Sequence, residues 1–145
     1  MKKTTSKAAL EAMRRKWSVL NPVMPIAGEE WKTISEFPSY QISSHGRVKN
    51  CQMGNLLKGR SLNGYTQICI KANARLNFRY VHILVLTYFR GPCPSGLESR
   101  HLDGIRNHNN LDNLVWGTHQ ENMDDKIRHR KERETPISEE PICLS

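Results

Sequence analysis

Long apolar runs are missing from this chain. No stretch approaches the roughly 20 residues that a bilayer-spanning helix needs, and the basic residues at the start are not followed by the apolar core of a secretion signal. Paired cysteines are missing too. Cys51, Cys69, Cys93 and Cys143 are scattered with no C-x-x-C pair, which argues against both a structural zinc site and a disulfide framework. The expectation is a reduced, cytosolic protein with no membrane partner. Acidic residues are also short, 14 against 22 Lys and Arg in 145 residues, for a formal net charge of +8. An imbalance of that size suits a polyanionic partner, because each cation that meets a phosphate releases condensed counterions. Apolar residues make up only 37% of the chain, so the expectation is one compact unit, or two very small ones, with thin cores.

The positive charge is uneven. Lys2, Lys3, Lys7, Arg14, Arg15 and Lys16 face Glu11 alone in the first 28 residues, residues 29–99 are also basic, the signs balance over residues 100–134, and Glu139 and Glu140 make the end acidic. Helix-period spacing of Leu10, Met13, Trp17 and Leu20 predicts a basic helix from Lys7 to Leu20, stopped by Pro22 and Pro25. Trp31, Ile34, Phe37, Tyr40, Ile42 and Val48 lie among Pro38, Ser43, Ser44 and Gly46, which predicts short strands with a turn at Ser44-His45-Gly46. Strand signal continues over residues 56–70 with a turn at Gly64, and residues 73–77 read as the next turn. Arg47, Lys49, Lys58 and Arg60 in this strand-rich part are candidates for phosphate contact. Residues 78–81 can start as a strand. From His82 onward, Leu84, Val85, Tyr88 and Phe89 form one helical face that ends at Gly91 and Pro92.

Residues 100–122, RHLDGIRNHNNLDNLVWGTHQEN, carry the candidate chemistry. Asp103-Gly104 is a turn signal, so His101 should end the strand entering it. Asn107, His108, Asn109, Asn110, Asp112 and Asn113 can bond their own backbone and fix a loop. Leu114-Val115-Trp116 reads as a return strand, and Thr118 with Glu121 fits a capping box opening a helix over residues 119–131. Asn122 would then sit in the first turn of that helix, where its side chain can reach back toward the hairpin.

These positions resemble the HNH endonucleases, specifically the branch of phage and intron-encoded homing endonucleases. The matching residues are Val81-His82, Leu84-Val85, Phe89, His101, Asp103-Gly104, Asn109, Asn113-Leu114, Trp116, Thr118 and Asn122. Upstream, Trp31-Lys32-Thr33-Ile34, Phe37-Pro38, Tyr40, Ile42-Ser43 and Gly46-Arg47-Val48 look like the modular DNA-binding motif associated with such nucleases. The resemblance implies an α+β chain in four parts: a basic arm and linker (1–28), a strand-rich DNA-binding module (29–77), a ββα-metal nuclease unit (78–134) and an acidic tail (135–145). It implies double-stranded DNA as substrate, nicking by a monomer or weak homodimer, and a bacterial or phage-infected host cytoplasm. His101 would be the general base, Asn113 the brace of its loop, and Asn122 a ligand for one Mg²⁺ or Mn²⁺ ion.

Arg100 departs from the pattern, standing where many members carry an acidic metal ligand. An arginine cannot ligate a cation and repels one. Three readings remain open. Arg100 binds phosphate while Asp103 or His108 supplies the missing ligand; or the ion arrives with the DNA, whose oxygens complete its shell; or the chain binds DNA without cutting it.

Overall fold

A computed structural model describes residues 6–20 and 23–135. The expected tail at 135–145 therefore lies almost wholly outside the described residues, as does part of the basic arm. The order of elements is α1 (Lys7–Leu20), β1 (Trp31–Thr33), β2 (Tyr40–Ser43), β3 (Val48–Asn50), β4 (Asn55–Leu56), β5 (Arg60–Leu62), β6 (Tyr65–Ala72), β7 (Arg75–Tyr80), α2 (Val81–Arg90), β8 (Glu98–His101), a 3-10 turn (Leu111–Asn113), β9 (Leu114–Gly117) and α3 (His119–Glu134). The strands make three antiparallel sheets, β1-β2-β3-β4, β5-β6-β7 and β8-β9. No helix among the described residues is long and apolar enough to cross a membrane, and Cys51, Cys69 and Cys93 are free thiols.

Helix α2 is the hub. Val81, Leu84, Val85 and Leu86 are all buried, and they meet Ile34, Phe37, Tyr40, Ile42 and Val48 from the first sheet region, Ile68 and Ile70 from β6, and Leu114 from β9 in one continuous core. A helix apolar nearly all round is what three surrounding sheets require. Burial of Leu86 extends beyond the Leu84, Val85, Tyr88 and Phe89 face read from the sequence. Residues 29–77 and 78–134 thus share a core instead of building two. Neither half holds enough apolar residues to exclude water alone.

The boundary expected at 77/78 falls inside β7, which pairs with β6 from Ala72↔Arg75 to Gln67↔Tyr80 and runs straight into α2. The turn expected over 73–77 shrinks to Asn73-Ala74, both at positive φ (53° and 58°), a two-residue hairpin loop whose backbone twist matches its strands. Alanine rarely adopts that conformation, so the sequence signal is weak there. Trp31 stays half-buried on β1 with the Lys49 ammonium 4.4 Å and the Arg47 guanidinium 5.5 Å from its ring.

Candidate active site

The hairpin β8-β9 pairs Glu98↔Gly117, Ser99↔Trp116, Arg100↔Val115 and His101↔Leu114. Cross-strand partners share a face and neighbours along a strand alternate. His101 therefore lies on the α2 side with the fully buried Leu114, whereas Glu98 and Arg100 point toward α3. Among the described residues no strand pairs with the outer edge of β8. A cleft of about 840 Å³ is lined by Ser99, His101 and Arg106, by Asn122, Lys126, His129 and Arg130 of α3, and by Gly64 and Tyr65.

His101 is 9% exposed. Its Nε2 is 3.3 Å from the Asn109 carboxamide oxygen, and donating that N–H leaves the basic lone pair on Nδ1. Its ring packs 5.2 Å from the His82 ring and 6.0 Å from Tyr65, centroid to centroid. Burial pushes the imidazole pKa below its ordinary value, more than the Asn109 bond and the Asp103 charge raise it. His82 beneath it is pushed down to about 4, chiefly by burial and then by His101, and its Nδ1 is buried without a partner. Both rings are thus held neutral near pH 7.

The loop behind His101 is fixed from two directions. Asn113 accepts the Asp103 backbone N–H at 2.9 Å and donates its amide to the Asp103 carboxylate at 2.9 Å and to the His108 carbonyl at 3.0 Å. From the strand-rich module, the Ser44 carbonyl accepts the Leu111 N–H at 2.8 Å. Gly46, at φ +78°, packs so closely that a Cβ there would lie 2.7 Å from Asn109 Cβ and 2.8 Å from its carbonyl oxygen. Asn109, which holds the His101 ring, is therefore seated on the β2-β3 turn.

Asp103 does not open toward the α3 side. Its carboxylate takes bonds from the Ile105 N–H at 2.8 Å, from Asn113 and from His108, and although burial pushes its carboxyl up, these bonds hold it below the usual range. His108 is tied up in the same contact. Two of the candidate phosphate-binding arginines are likewise engaged by protein carboxylates. Arg47 forms a two-point pair with Glu29 and a bond to the Met24 carbonyl. Arg100 donates Nε and Nη2 to Asp125 Oδ2 at 2.9 and 2.7 Å, and its Nη1 lies 3.3 Å from Glu121 Oε2. It stretches over Gly117, where a Cβ would come within 2.2 Å of the Arg100 Cδ. Lys49 covers Trp31, Arg60 binds Gln67 Oε1 at 2.9 and 2.6 Å, and Lys58 is exposed. None of these five basic residues lines the cleft; its cations are Arg106, Lys126, Arg130 and Arg133.

Helix α3 begins with the full capping box, Glu121 N–H to Thr118 Oγ1 at 3.2 Å and Thr118 N–H to Glu121 Oε2 at 2.8 Å. Asn122 in its first turn donates Nδ2 to Glu98 Oε1 at 2.6 Å, and His119 Nδ1 lies 3.3 Å from the same oxygen. The Asn122 bond, followed by the His119 charge, keeps the Glu98 carboxyl below its usual value. Among the described residues no three His, Cys, Asp or Glu side chains gather as a cation site. The oxygen-rich spot on the α3 side instead combines a carboxylate with a carboxamide. Hard oxygen donors of that kind fit a Mg²⁺- or Mn²⁺-sized ion.

Residues 79–124 match the family described as HNH endonuclease, and residues 29–71 match the NUMOD4 motif. The chain carries an HNH endonuclease domain. Two uncharacterized HNH endonucleases of Acanthamoeba polyphaga mimivirus are similar to it, one 32% identical over 98 residues and the other 30% over 100. They cover 68% and 66% of this chain, which spans only 30% and 25% of their lengths. The solved structure of the HNH homing endonuclease I-HmuI, titled for its DNA binding and cleavage, shares the α+β fold at a TM-score of 0.62 and 30% identity, covering 70% of this chain and 59% of that one. The HNH domain and the motif before it stand in the order and close to the positions that the resemblance implied. Sequence reasoning missed Glu98 and Arg106. Glu98 had a signal, since it lies two residues from Arg100 on the same strand face; Arg106 reaches the site by a bond to the Asn63 carbonyl at 3.0 Å and by lying over the Tyr65 ring, which no spacing reveals.

Proposed function

We propose that the chain is a metal-dependent endonuclease that hydrolyses phosphodiester bonds of double-stranded DNA, nicking one strand per site, with His101 as the general base. The observation carrying this reading is that the His101 imidazole and the Asn122 carboxamide line one cleft whose other charged groups are mainly cations. Arg106, Lys126 and Arg130 would take the phosphates flanking the scissile bond. The Nδ1 of His101, neutral at physiological pH, would accept the proton of an attacking water while Asn109 holds the ring and Asn113 holds the loop. Asn122 would contribute to holding a divalent ion, Mg²⁺ or Mn²⁺. When bound, such an ion polarises a phosphoryl oxygen and stabilises charge on the leaving 3′ oxygen.

Pairing of Arg100 with Asp125 and Glu121 argues against the reading in which Arg100 binds phosphate, and leaves the other two. Its charge is neutralised locally, so it neither grips the backbone nor strongly repels an ion. The test is nicking of supercoiled plasmid with Mg²⁺ or Mn²⁺. His101→Ala should lower the rate by about 10²–10⁴-fold, the usual contribution of a general base. Equal nicking by both proteins removes His101 from the mechanism; binding without cleavage under every divalent ion makes the chain a silent DNA-binding protein.

A further inference from the structure

We propose that the acidic ligand absent at position 100 has moved two residues back along the same strand face, so that Glu98 and Asn122, with His119 as a third donor, hold the divalent ion. This rests on the reading of the chain as a metal-dependent nuclease.

Residues 98 and 100 point the same way because side chains alternate along a strand. Glu98 is one pleat farther from the Asp-Gly turn, and Glu reaches one methylene farther than Asp. Its Oε1 already lies 2.6 Å from Asn122 Nδ2 and 3.3 Å from His119 Nδ1. Asn122 and His119 are three apart in the first turn of α3, hence on one face of the helix. The carboxamide exchanges its oxygen and nitrogen by a half-turn about its terminal torsion, a broad two-fold rotor. After that turn Asn122 Oδ1 stands where Nδ2 was, and two hard oxygens face the same ion. His119 supplies a ring nitrogen from a side chain 77% exposed, free to swing.

The rival carboxylates are engaged. Asp103 holds the loop through Ile105, Asn113 and His108. Asp125 is bound by Arg100 on one oxygen and by Arg128, 3.0 Å away, on the other. Glu121 serves the capping box. Glu98 is the carboxylate beside Asn122 whose contacts are with neutral donors or with an exposed histidine, so an ion displaces the least there. The N-terminal end of α3 carries partial positive charge, which sets a modest affinity for the ion alone.

The test is a Mn²⁺ titration of the intact, isotope-labelled chain followed by NMR line broadening, run beside plasmid nicking. Broadening should centre on Glu98, His119 and Asn122. Glu98→Gln, nearly isosteric, should need at least tenfold more Mn²⁺ for the same effect; Asp103→Asn should stay within about twofold, the spectra themselves reporting the fold of each variant. Broadening centred on residues 103–108, broadening unchanged in Glu98→Gln, or no localised broadening overturns the proposal. Nicking by Glu98→Gln with an unaltered Mn²⁺ requirement overturns it while leaving the nuclease reading intact. Localised Mn²⁺ binding at Glu98 without any nicking supports the ion site and overturns the nuclease reading.

Discussion

The two faces of β8 are built on opposite principles although they are one residue apart. Toward α2, His101 sits among Leu114, His82 and Tyr65, where burial keeps imidazoles uncharged. Toward α3, Glu98 and Arg100 sit among Glu121, Asn122 and Asp125, where every polar group has a charged or amide partner. A proton acceptor needs the first environment, since a charged imidazole accepts nothing. Cation binding needs the second, since oxygen ligands must be ionised or polarised. Strand alternation separates the two by the thickness of a backbone. Of the residues on or facing β8, His101 from the first environment and Asn122 and Asp125 from the second line the same cleft.

The comparison breaks most severely at the loop that seats His101. Asn113→Ala removes three hydrogen bonds from a side chain that is 7% exposed and strands the Asp103 N–H, so it should cost about 3 kcal/mol in denaturant unfolding. An unfolding midpoint equal to wild type would mean that the loop does not depend on this brace. Next comes acid. His82 shifts from 6.5 to about 4, so the folded state binds fewer protons in that window. Stability should fall as pH drops from 6.5 toward 4, by at most roughly 3 kcal/mol from this group, with no contribution above 6.5. His82→Phe should flatten that slope. Because the His101 pKa is also lowered, the acid limb of kcat/KM should lie below the ordinary histidine value.

A smaller effect tests the charged face. Asp125→Ala leaves Arg100, whose side chain is 14% exposed, without its two-point partner, and should cost about 2 kcal/mol in thermal unfolding. Arg100→Met combined with Asp125→Leu should recover much of that loss, because neither charge is then left alone. Smallest of all, Lys126→Ala or Arg130→Ala should each lower the slope of log affinity for DNA against log salt by about 1 if the residue meets a phosphate. A slope unchanged in both would move the DNA off α3.

Local signals made the hairpin and α3 legible. Asp103-Gly104, the asparagine-rich loop and the Thr118–Glu121 box each act within a few residues, and β8, β9 and α3 lie where those signals put them. His101 and Asn122 lining one cleft followed from that local geometry. What stayed hidden depends on partners far apart in sequence. Glu29 neutralises Arg47 across 18 residues, and Asp125 takes Arg100 across 25, so side chains that read as free cations are internal. The burial of Leu86 and the shared core depend on three sheets converging on α2, which no window around α2 contains. Short β4 and β5 have too few residues for a period to register.

The contact of Gly46 with Asn109 limits how such a chain can be rebuilt. Exchanging residues 29–77 for another segment would remove the surface on which Asn109 rests, even with every residue of the hairpin and α3 intact. New target preference would therefore have to be engineered by changing side chains on the existing strands, not by exchanging the segment. Any chimera joined at residues 77 and 78 should lose catalytic competence before it loses affinity for DNA.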